Sequence, residues 1–265
     1  MLVIGEKING AIPSVAKAIQ DKDEEAVRRL ASAQTEAGAD YLDVCAGTLP
    51  EVEYDTLTWL LDLVQSASDL PICIDSPDPE ILLKILPLIN RPGLINSVSG
   101  EGNKCDRIFP WLQQNPDWNV IALACDDSGI PGDVETKVGI AFAIIEKASG
   151  FGIAPERFFI DPLVLSLATA NDSMLQFIES IRRIRDKYPS VRFTSGLSNI
   201  SYGMPARKLV NRNFLTLALS AGMDSAIMDP LNKEMMETVL AAEALLGRDR
   251  HCRNYNKAYR AGKIG

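Results

Sequence analysis

Short apolar runs alternate along the chain with longer segments of helical periodicity, and each pair takes about 30 residues. Repeated βα units have this spacing, and they build parallel sheets. Eight runs are predicted to be strands: Leu2 to Gly5, Asp40 to Val44, Pro71 to Ile74, Gly93 to Ile95, Val120 to Ala124, Arg157 to Ile160, Arg192 to Gly196 and Ser225 to Met228. Eight units in 265 residues favour a single-domain (β/α)₈ barrel, or TIM barrel. An eight-stranded doubly wound open sheet is the alternative, but no G-x-G-x-x-G follows the first run.

The segments between the runs have the pattern of amphipathic helices. From Asp23 to Ala37, small and apolar residues recur at helical spacing, and Gly38 stands where a helix should end. The segment 175–184 carries isoleucines and a leucine on one face and arginines on the other. A last helix is predicted from Lys233 to Leu246. These helices would cover the outside of the barrel.

The composition limits the partners and the compartment. The net charge of −8 and the pI near 4.8 argue against nucleic acid and against an anionic membrane surface. Five scattered cysteines without a C-x-x-C pair fit reduced thiols better than a disulfide framework. The first residues turn polar too soon for a signal peptide, and no apolar run is long enough to span a bilayer. We therefore expect a cytoplasmic protein whose partner is a small molecule or another protein.

The end of the chain differs from the rest. Residues 248–265 become basic and lose the helical periodicity. We expect a barrel domain over residues 1–247 and a basic C-terminal extension on its surface over residues 248–265.

Polar residues stand at the carboxyl end of every predicted strand, where barrel enzymes build their sites. They are Glu6, Asn9, Asp43, Cys45, Asp75, Ser76, Asn96, Ser97, Cys125, Asp126, Asp161, Ser198, Asn199 and Asp229. Carboxylates and carboxamides dominate this set. They suit a neutral, nitrogen-rich ring such as the amino-pyrimidinone of a pterin, whose N–H groups a carboxylate can accept in pairs. A phosphate ligand would favour Arg, Lys or a glycine-rich turn, and these strand ends offer only Lys7.

Each of these residues also has a structural interpretation. Asp75 and Asp161 can brace the following helices, and Asn96 and Asn199 can satisfy loop carbonyls. Ser198 has no histidine or lysine placed to activate it, which favours a structural role.

A metal site is not expected. Cys45 and Cys125 are the nearest approach to a soft-metal pair, but the single histidine, His251, lies in the tail. Glu6 and Lys7 are expected to pair with neighbouring strand ends rather than to act in catalysis.

Six segments resemble the pterin-binding methyltransferase family. They are GEKIN at 5–9, DYLDVCAG at 40–47, CIDSPDPE at 73–80, LINSVSGE at 94–101, FIDPLV at 159–164 and GLSNISYGMPARKLVNRNFL at 196–215. Within the family they are most similar to the methyltetrahydrofolate:corrinoid/iron–sulfur protein methyltransferase branch. Each segment alone is a weak signal, but their order on successive strands is specific and covers essentially the whole chain.

The resemblance implies a (β/α)₈ barrel that exchanges a methyl group between tetrahydrofolate or methyltetrahydrofolate and a corrinoid. Because the chain has no D-x-H-x-x-G cobalamin motif, the corrinoid must be carried by a partner protein. A homodimer is also implied.

The resemblance also assigns roles to residues. It implies pterin binding by Asp75, Asn96, Asp161, Gly196, Ser198, Asn199, Arg207 and Ile227. Asn199 would contact the methyl-bearing ring nitrogen in catalysis, with support from Asp161. Glu6, Asn9, Asp43, Cys45 and Tyr202 are possible supporting residues. Two positions depart from the family pattern: Cys45 stands in place of an asparagine, and Tyr202 in place of a glutamine.

Three rival functions remain open. A dihydropteroate synthase would need a basic group on the last strand, which here reads SAIMDP. A Schiff-base aldolase would need a lysine at the end of the sixth or seventh strand. A non-catalytic folate-binding paralogue would keep the pterin residues and lack methyl transfer.

Overall fold

The computed structural model describes residues 1–265 and forms the eight-stranded barrel that the alternating pattern predicts. The strands are β1 Leu2–Asn9, β2 Tyr41–Cys45, β3 Ile72–Asp75, β4 Leu94–Gly100, β5 Asn119–Asp126, β6 Phe158–Asp161, β7 Arg192–Phe193 and β8 Ser225–Met228. The helices are α1 Pro13–Asp21, α2 Glu24–Ala37, α3 Pro50–Ala67, α4 Pro79–Ile85, α5 Lys104–Gln114, α6 Val134–Ser149, α7 Ser173–Lys187, α8 Arg207–Ala221, α9 Lys233–Leu245 and α10 Arg253–Arg260. None of the helices combines the length and the apolar character needed to cross a membrane.

All the strands are parallel, and the sheet runs in the order β7-β6-β5-β4-β3-β2-β1-β8. The barrel closes between β7 and β8 through a few backbone contacts instead of a full ladder. The amide of Asp224 donates to the carbonyl of Phe193 at 3.0 Å, and that of Ile227 donates to Ser195 at 2.9 Å. Gly196 and Ile227 form an isolated parallel bridge.

Local sequence signals set the helix ends. Asp23 caps α2 by accepting a hydrogen bond from the Ala26 amide at 3.0 Å, and Gly38 ends the helix with φ +98°. Asp133 caps α6 by accepting from Thr136 at 2.8 Å. The predicted starts and ends of α2 and α9 are therefore confirmed to within a residue.

Two separate apolar cores hold the barrel together. The larger one lies between the sheet and the surrounding helices. The smaller one fills the lumen and is formed by side chains that point inward from successive strands: Ile4, Cys73, Leu94, Ile121 and Phe159. Since alternate residues of a strand face the same side, the residue two positions further along each strand points into the lumen above this apolar floor.

The structure corrects three details. Strands β1, β4 and β5 continue to Asn9, Gly100 and Asp126, so that the polar residues expected after them lie within them: Glu6, Asn9, Asn96, Ser97, Cys125 and Asp126. Strand β7 ends at Phe193, because residues 197–201 curl into a 3₁₀ turn. The tail is not aperiodic: it contains α10, which contacts α9, and Ala258 is buried there. The division at residue 248 remains a prediction.

Candidate active site

The predicted polar residues form a layer directly above the apolar floor of the lumen. Asp75 lies two residues after Cys73, Asn96 two after Leu94, and Asp161 two after Phe159. Strand register then places Cys45, Asp75 and Asn96 side by side across β2, β3 and β4. The structure therefore brings together at one mouth the residues that the sequence predicts for β2, β3, β4 and β6.

Asp43 lies deeper than the other carboxylates and is fully enclosed by the barrel. Its Oδ1 accepts a hydrogen bond from Nδ2 of Asn96 at 3.2 Å. Burial, and secondarily the charge of Asp75, raises the pKa of Asp43 well above its ordinary range. Asp43 thus orients the Asn96 amide, so that the amide oxygen of Asn96 remains an acceptor for a ligand.

Asp75 stands at the end of β3 and is only partly exposed. Burial raises its pKa to about 6, although the neighbouring Cys45 thiol opposes the shift. The next residue, Ser76, fixes the strand end: its amide donates to the Asn96 carbonyl at 3.0 Å, and its hydroxyl donates to the buried Glu53 carboxylate at 2.6 Å. Asp75 is therefore a carboxylate on a rigid support, with no cation paired to it.

Asp161 at the end of β6 is buried and held by two backbone amides. Its Oδ1 accepts from Leu163 at 2.8 Å, and its Oδ2 accepts from Gly196 at 3.3 Å. Burial raises the pKa of Asp161 to about 6, while these two amides and the charge of Lys137 lower it. Asp161 thus joins the end of β6 to the turn that follows β7.

Asn199 lies in the 3₁₀ turn after β7, and its side chain is exposed. A Cβ atom at Gly196 would stand only 3.0 Å from the Asn199 amide nitrogen, so the glycine leaves room for this side chain. Unlike Asp43 and Asn96, Asn199 makes no side-chain hydrogen bond within the chain, which leaves both its donor and its acceptor available. Ser198 is half-buried beside it.

Arg207 stabilises this turn. Its guanidinium donates to the Ser198 carbonyl at 2.9 Å and to the Ser201 hydroxyl at 3.0 Å, and it lies over the Tyr202 ring with 6.0 Å between Cζ and the ring centroid. Tyr202 itself is 72% exposed. The arginine thus has a structural task in the turn, in addition to the ligand contact that the resemblance implies.

Charged residues of β1 and β8 meet on the same side of the mouth. The Lys7 ammonium lies 3.4 Å from the Asp229 carboxylate, in agreement with the pairing expected of Lys7, whereas Glu6 forms no ion pair. Burial, and then the charge of Asp229, raises the pKa of Glu6 to about 7, while the positive charges of Lys7 and Arg207 lower it. Asn9 has a local role, because its Oδ1 accepts from the Ala11 amide at 2.9 Å.

Two buried charged residues near the site were not predicted. Lys137 of α6 and Glu53 of α3 lie inside the structure, each hydrogen-bonded to a loop that carries a site residue. Both occupy positions on the apolar stripe of their helix, next to buried partners such as Ala141 and Leu57. A charged residue on an apolar stripe is the sequence signal that would have found them.

No group of three or more His, Cys, Asp or Glu side chains is arranged to hold a metal ion. The five cysteines are all unpaired. The mouth presents a set of hydrogen-bonding groups: the carboxylates of Asp75 and Asp161, the Asn96 amide held by Asp43, and the free amide of Asn199. Such a set can bind a flat heterocycle edge-on and can stabilise charge on one of its nitrogens.

The chain matches the model of the pterin binding enzyme family over residues 6–229, and it belongs to that family. This confirms the resemblance found in its motifs. The methylcorrinoid:tetrahydrofolate methyltransferase of Eubacterium limosum is 54% identical over 266 aligned residues, which cover 100% of this chain and 98% of the relative. The methionine synthases of Mycobacterium tuberculosis and Mycobacterium leprae are 31% identical over 86% of this chain, which corresponds to 20% of each.

Solved structures show the same barrel. The dihydropteroate synthase from Xanthomonas albilineans in complex with 7,8-dihydropteroate aligns with a TM-score of 0.68 over 92% of both chains, at 17% identity. The same enzyme with 4-aminobenzoic acid gives a TM-score of 0.63 over 87% of this chain and 88% of the other, at 18% identity. At this identity the likeness extends to the fold alone.

Proposed function

We propose that this protein is a methyltransferase that exchanges a methyl group between tetrahydrofolate and the cobalt of a separate corrinoid protein. The observation that carries the proposal is the 54% identity with a methylcorrinoid:tetrahydrofolate methyltransferase along the full length of both chains. That relative's name gives the direction as well. The methyl group leaves the corrinoid and arrives on the folate.

The buried carboxylates bind the pterin. Asp75 and Asp161 accept N–H groups of the amino-pyrimidinone ring, and Asn96 serves an edge that both donates and accepts. Strand register and the two amides on Asp161 hold these groups in place before the ligand arrives. Ile227, partly exposed where it packs against the lumen core, gives the ring an apolar surface.

Asn199 acts at the ring nitrogen that gains or loses the methyl group. In the folate-methylating direction the cobalt–carbon bond breaks with its electron pair left on cobalt, and the nitrogen–carbon bond forms. The nitrogen becomes positive and then releases its proton to water. The free Asn199 amide, with a water and Asp161, stabilises this charge electrostatically. Its contact strengthens as the transition state forms, which is how a binding group accelerates a reaction.

Exposed apolar side chains surround the mouth. Leu49, Ile130, Tyr202 and Leu231 lie in four different loops that follow strands, and each is at least 40% exposed. The corrinoid protein has to cover this mouth to bring its cobalt to the pterin, and these side chains give it an apolar rim to dock on.

Mixing the protein with tetrahydrofolate and a methylated corrinoid protein tests the proposed reaction directly. We expect the cobalt absorption spectrum to change as methyltetrahydrofolate appears in equal amount. Binding of tetrahydrofolate without any methyl transfer would favour the non-catalytic paralogue. Condensation of a pterin pyrophosphate with 4-aminobenzoate would favour the dihydropteroate synthase. Against that function, the β1 cation Lys7 already pairs with Asp229, and Arg207 already donates to Ser198 and Ser201.

Two further features belong to the same proposal. The unpaired cysteines support a cytoplasmic location.

Helices α7 and α8 expose Leu175, Leu209 and Leu217 on the outside of the barrel, and this apolar face supports the homodimer. Sedimentation analysis should show a dimer that Leu217→Glu dissociates, whereas Leu245→Glu, at an exposed position on α9, leaves it intact.

A further inference from the structure

Lys137 is a buried lysine for which the methyl transfer outlined above has no task. It lies on the inner face of α6 with no exposed surface, among Val138, Ala141 and other apolar side chains. Its ammonium group makes one hydrogen bond within the chain, a donation to the carbonyl oxygen of Leu163 at 2.6 Å. An ammonium group pays a large desolvation cost in such a place, and an apolar side chain of similar length would avoid it.

The Leu163 peptide is held from both sides. Its carbonyl accepts from Lys137, and its amide donates to Oδ1 of Asp161 at 2.8 Å. Leu163 has φ +55°, a left-handed conformation that is unfavourable for a leucine. The surroundings therefore have to hold the residue in it, and the Lys137 hydrogen bond is the contact that does so from the helix side.

Lys137 also acts on Asp161 by charge. The carboxylates that face its ammonium group are Asp161, Asp133 and Asp172. Of these three, only Asp161 is buried in the barrel mouth. Burial raises the pKa of Asp161 to about 6, while the Leu163 and Gly196 amides, and after them the positive charge of Lys137, oppose the rise.

We infer that Lys137 is a positioning residue for the pterin: through the Leu163 peptide it orients the Asp161 carboxylate, and it places a buried positive charge facing that carboxylate. The inference rests on the proposed function, in which Asp161 accepts hydrogen bonds from the ligand. A purely structural role would require only that the space be filled.

Calorimetric titration with tetrahydrofolate between pH 5.5 and 8.5 tests this role. At pH 7, Lys137→Met should weaken binding about tenfold. Because the loss of the positive charge raises the pKa of Asp161, the loss of affinity on acidification should begin at a higher pH than in the unchanged protein. Lys137→Arg should keep the original midpoint. Lys147→Met, at the exposed end of the same helix, should leave both quantities unchanged.

Three outcomes separate the possibilities. The positioning role is wrong if Asp161→Asn weakens tetrahydrofolate binding and Lys137→Met does not. It is also wrong if Lys137→Met weakens binding equally at every pH. In both cases the pterin site stands. If Asp161→Asn binds tetrahydrofolate normally, the pterin role of Asp161 is wrong, and the role of Lys137 falls with it. Should Lys137→Met fail to fold, Lys137→Gln removes the charge while retaining a donor, and the same midpoint shift is expected.

Discussion

The two sides of the barrel mouth are built differently. On the β2–β4 side, formed by Cys45, Asp75 and Asn96, the site residues lie in paired strands and are largely enclosed. On the β7–α8 turn, residues 196–202, the site residues lie in a 3₁₀ turn, and Asn199 and Tyr202 are exposed. The sheet fixes the first set, whereas hydrogen bonds from Arg207 hold the second.

This difference separates two tasks. Carboxylates on rigid, enclosed strands are suited to binding the pterin, because their geometry is set before the ligand arrives. The Asn199 carboxamide makes no hydrogen bond within the chain and lies on an exposed turn. It is therefore suited to act where the corrinoid partner must reach the pterin. The comparison predicts that substitutions on the β2–β4 side change affinity and that substitutions on the turn change rate.

The largest effect is expected at Asn199. Asn199→Ala should lower the rate of methyl transfer on the order of a hundredfold while changing tetrahydrofolate affinity much less, since the lost contact strengthens in the transition state. Single-turnover transfer at saturating tetrahydrofolate measures the rate. Asn213→Ala, at an exposed position on α8, is the control. Equal losses of rate and affinity would make Asn199 an ordinary binding residue.

Asp75→Ala should act in the opposite way. Removing a hydrogen bond to a charged group should weaken tetrahydrofolate binding by about 1.5 to 3 kcal/mol and leave the saturated rate nearly unchanged. The same loss of affinity is expected for Asp161→Ala, which should also lower the rate because Asp161 supports Asn199. Calorimetry measures the affinity, and Asp62→Ala on the exposed face of α3 is the matched control. A folded variant with normal affinity would remove that residue from the pterin site.

Acid should weaken pterin binding through the same two carboxylates. Burial raises the pKa of both Asp75 and Asp161 to about 6. Above pH 6 they are ionised and accept the ligand's N–H groups; as the pH falls below 6 they become protonated, and affinity should fall about tenfold per pH unit for each. Titrations at pH 7.5 and 5 measure this. In the double variant Asp75→Asn with Asp161→Asn, tetrahydrofolate affinity should no longer depend on pH. If the pH dependence persists in this variant, it arises from titration of the ligand.

The smallest effect is expected at Cys45. Because the family pattern has asparagine there, Cys45→Asn should add a hydrogen bond on the β2–β4 side and tighten tetrahydrofolate binding by roughly 0.5 to 1 kcal/mol, with no change in rate. Cys252→Asn, in the exposed tail, is the control. Unchanged affinity would show that the end of β2 does not reach the pterin.

Most of the β2–β4 side could be predicted from the sequence. Short apolar runs locate the strand ends, and the closure of the barrel then brings Asp75 and Asn96 to the same mouth as Asp161 of β6. Their hydrogen bonds could not be predicted, since they depend on register between strands. The contact from Asn96 to Asp43 joins residues 53 positions apart.

The β7–α8 turn was harder to predict in detail. The run from Arg192 to Gly196 has the composition of a strand, but only its first two residues pair with β6. The rest turns inward to meet Ile227 and Asp161, which are tertiary contacts that no local pattern encodes. For Lys137, the position on the apolar stripe of α6 could have been found, but its partner, the Leu163 carbonyl, could not, because it lies 26 residues away.

The exposure of Asn199 has a consequence for the choice of methyl donor. In the uncovered protein, water competes for this amide, and the high dielectric constant of the solvent weakens any charge stabilisation that it offers. A docked corrinoid protein would strip that hydration and lower the local dielectric constant, so that the same amide becomes a stronger catalyst. Free methylcobalamin brings no protein surface that could pack on the apolar rim residues such as Leu49 and Leu231. The donor protein therefore completes the environment in which its own methyl group is transferred.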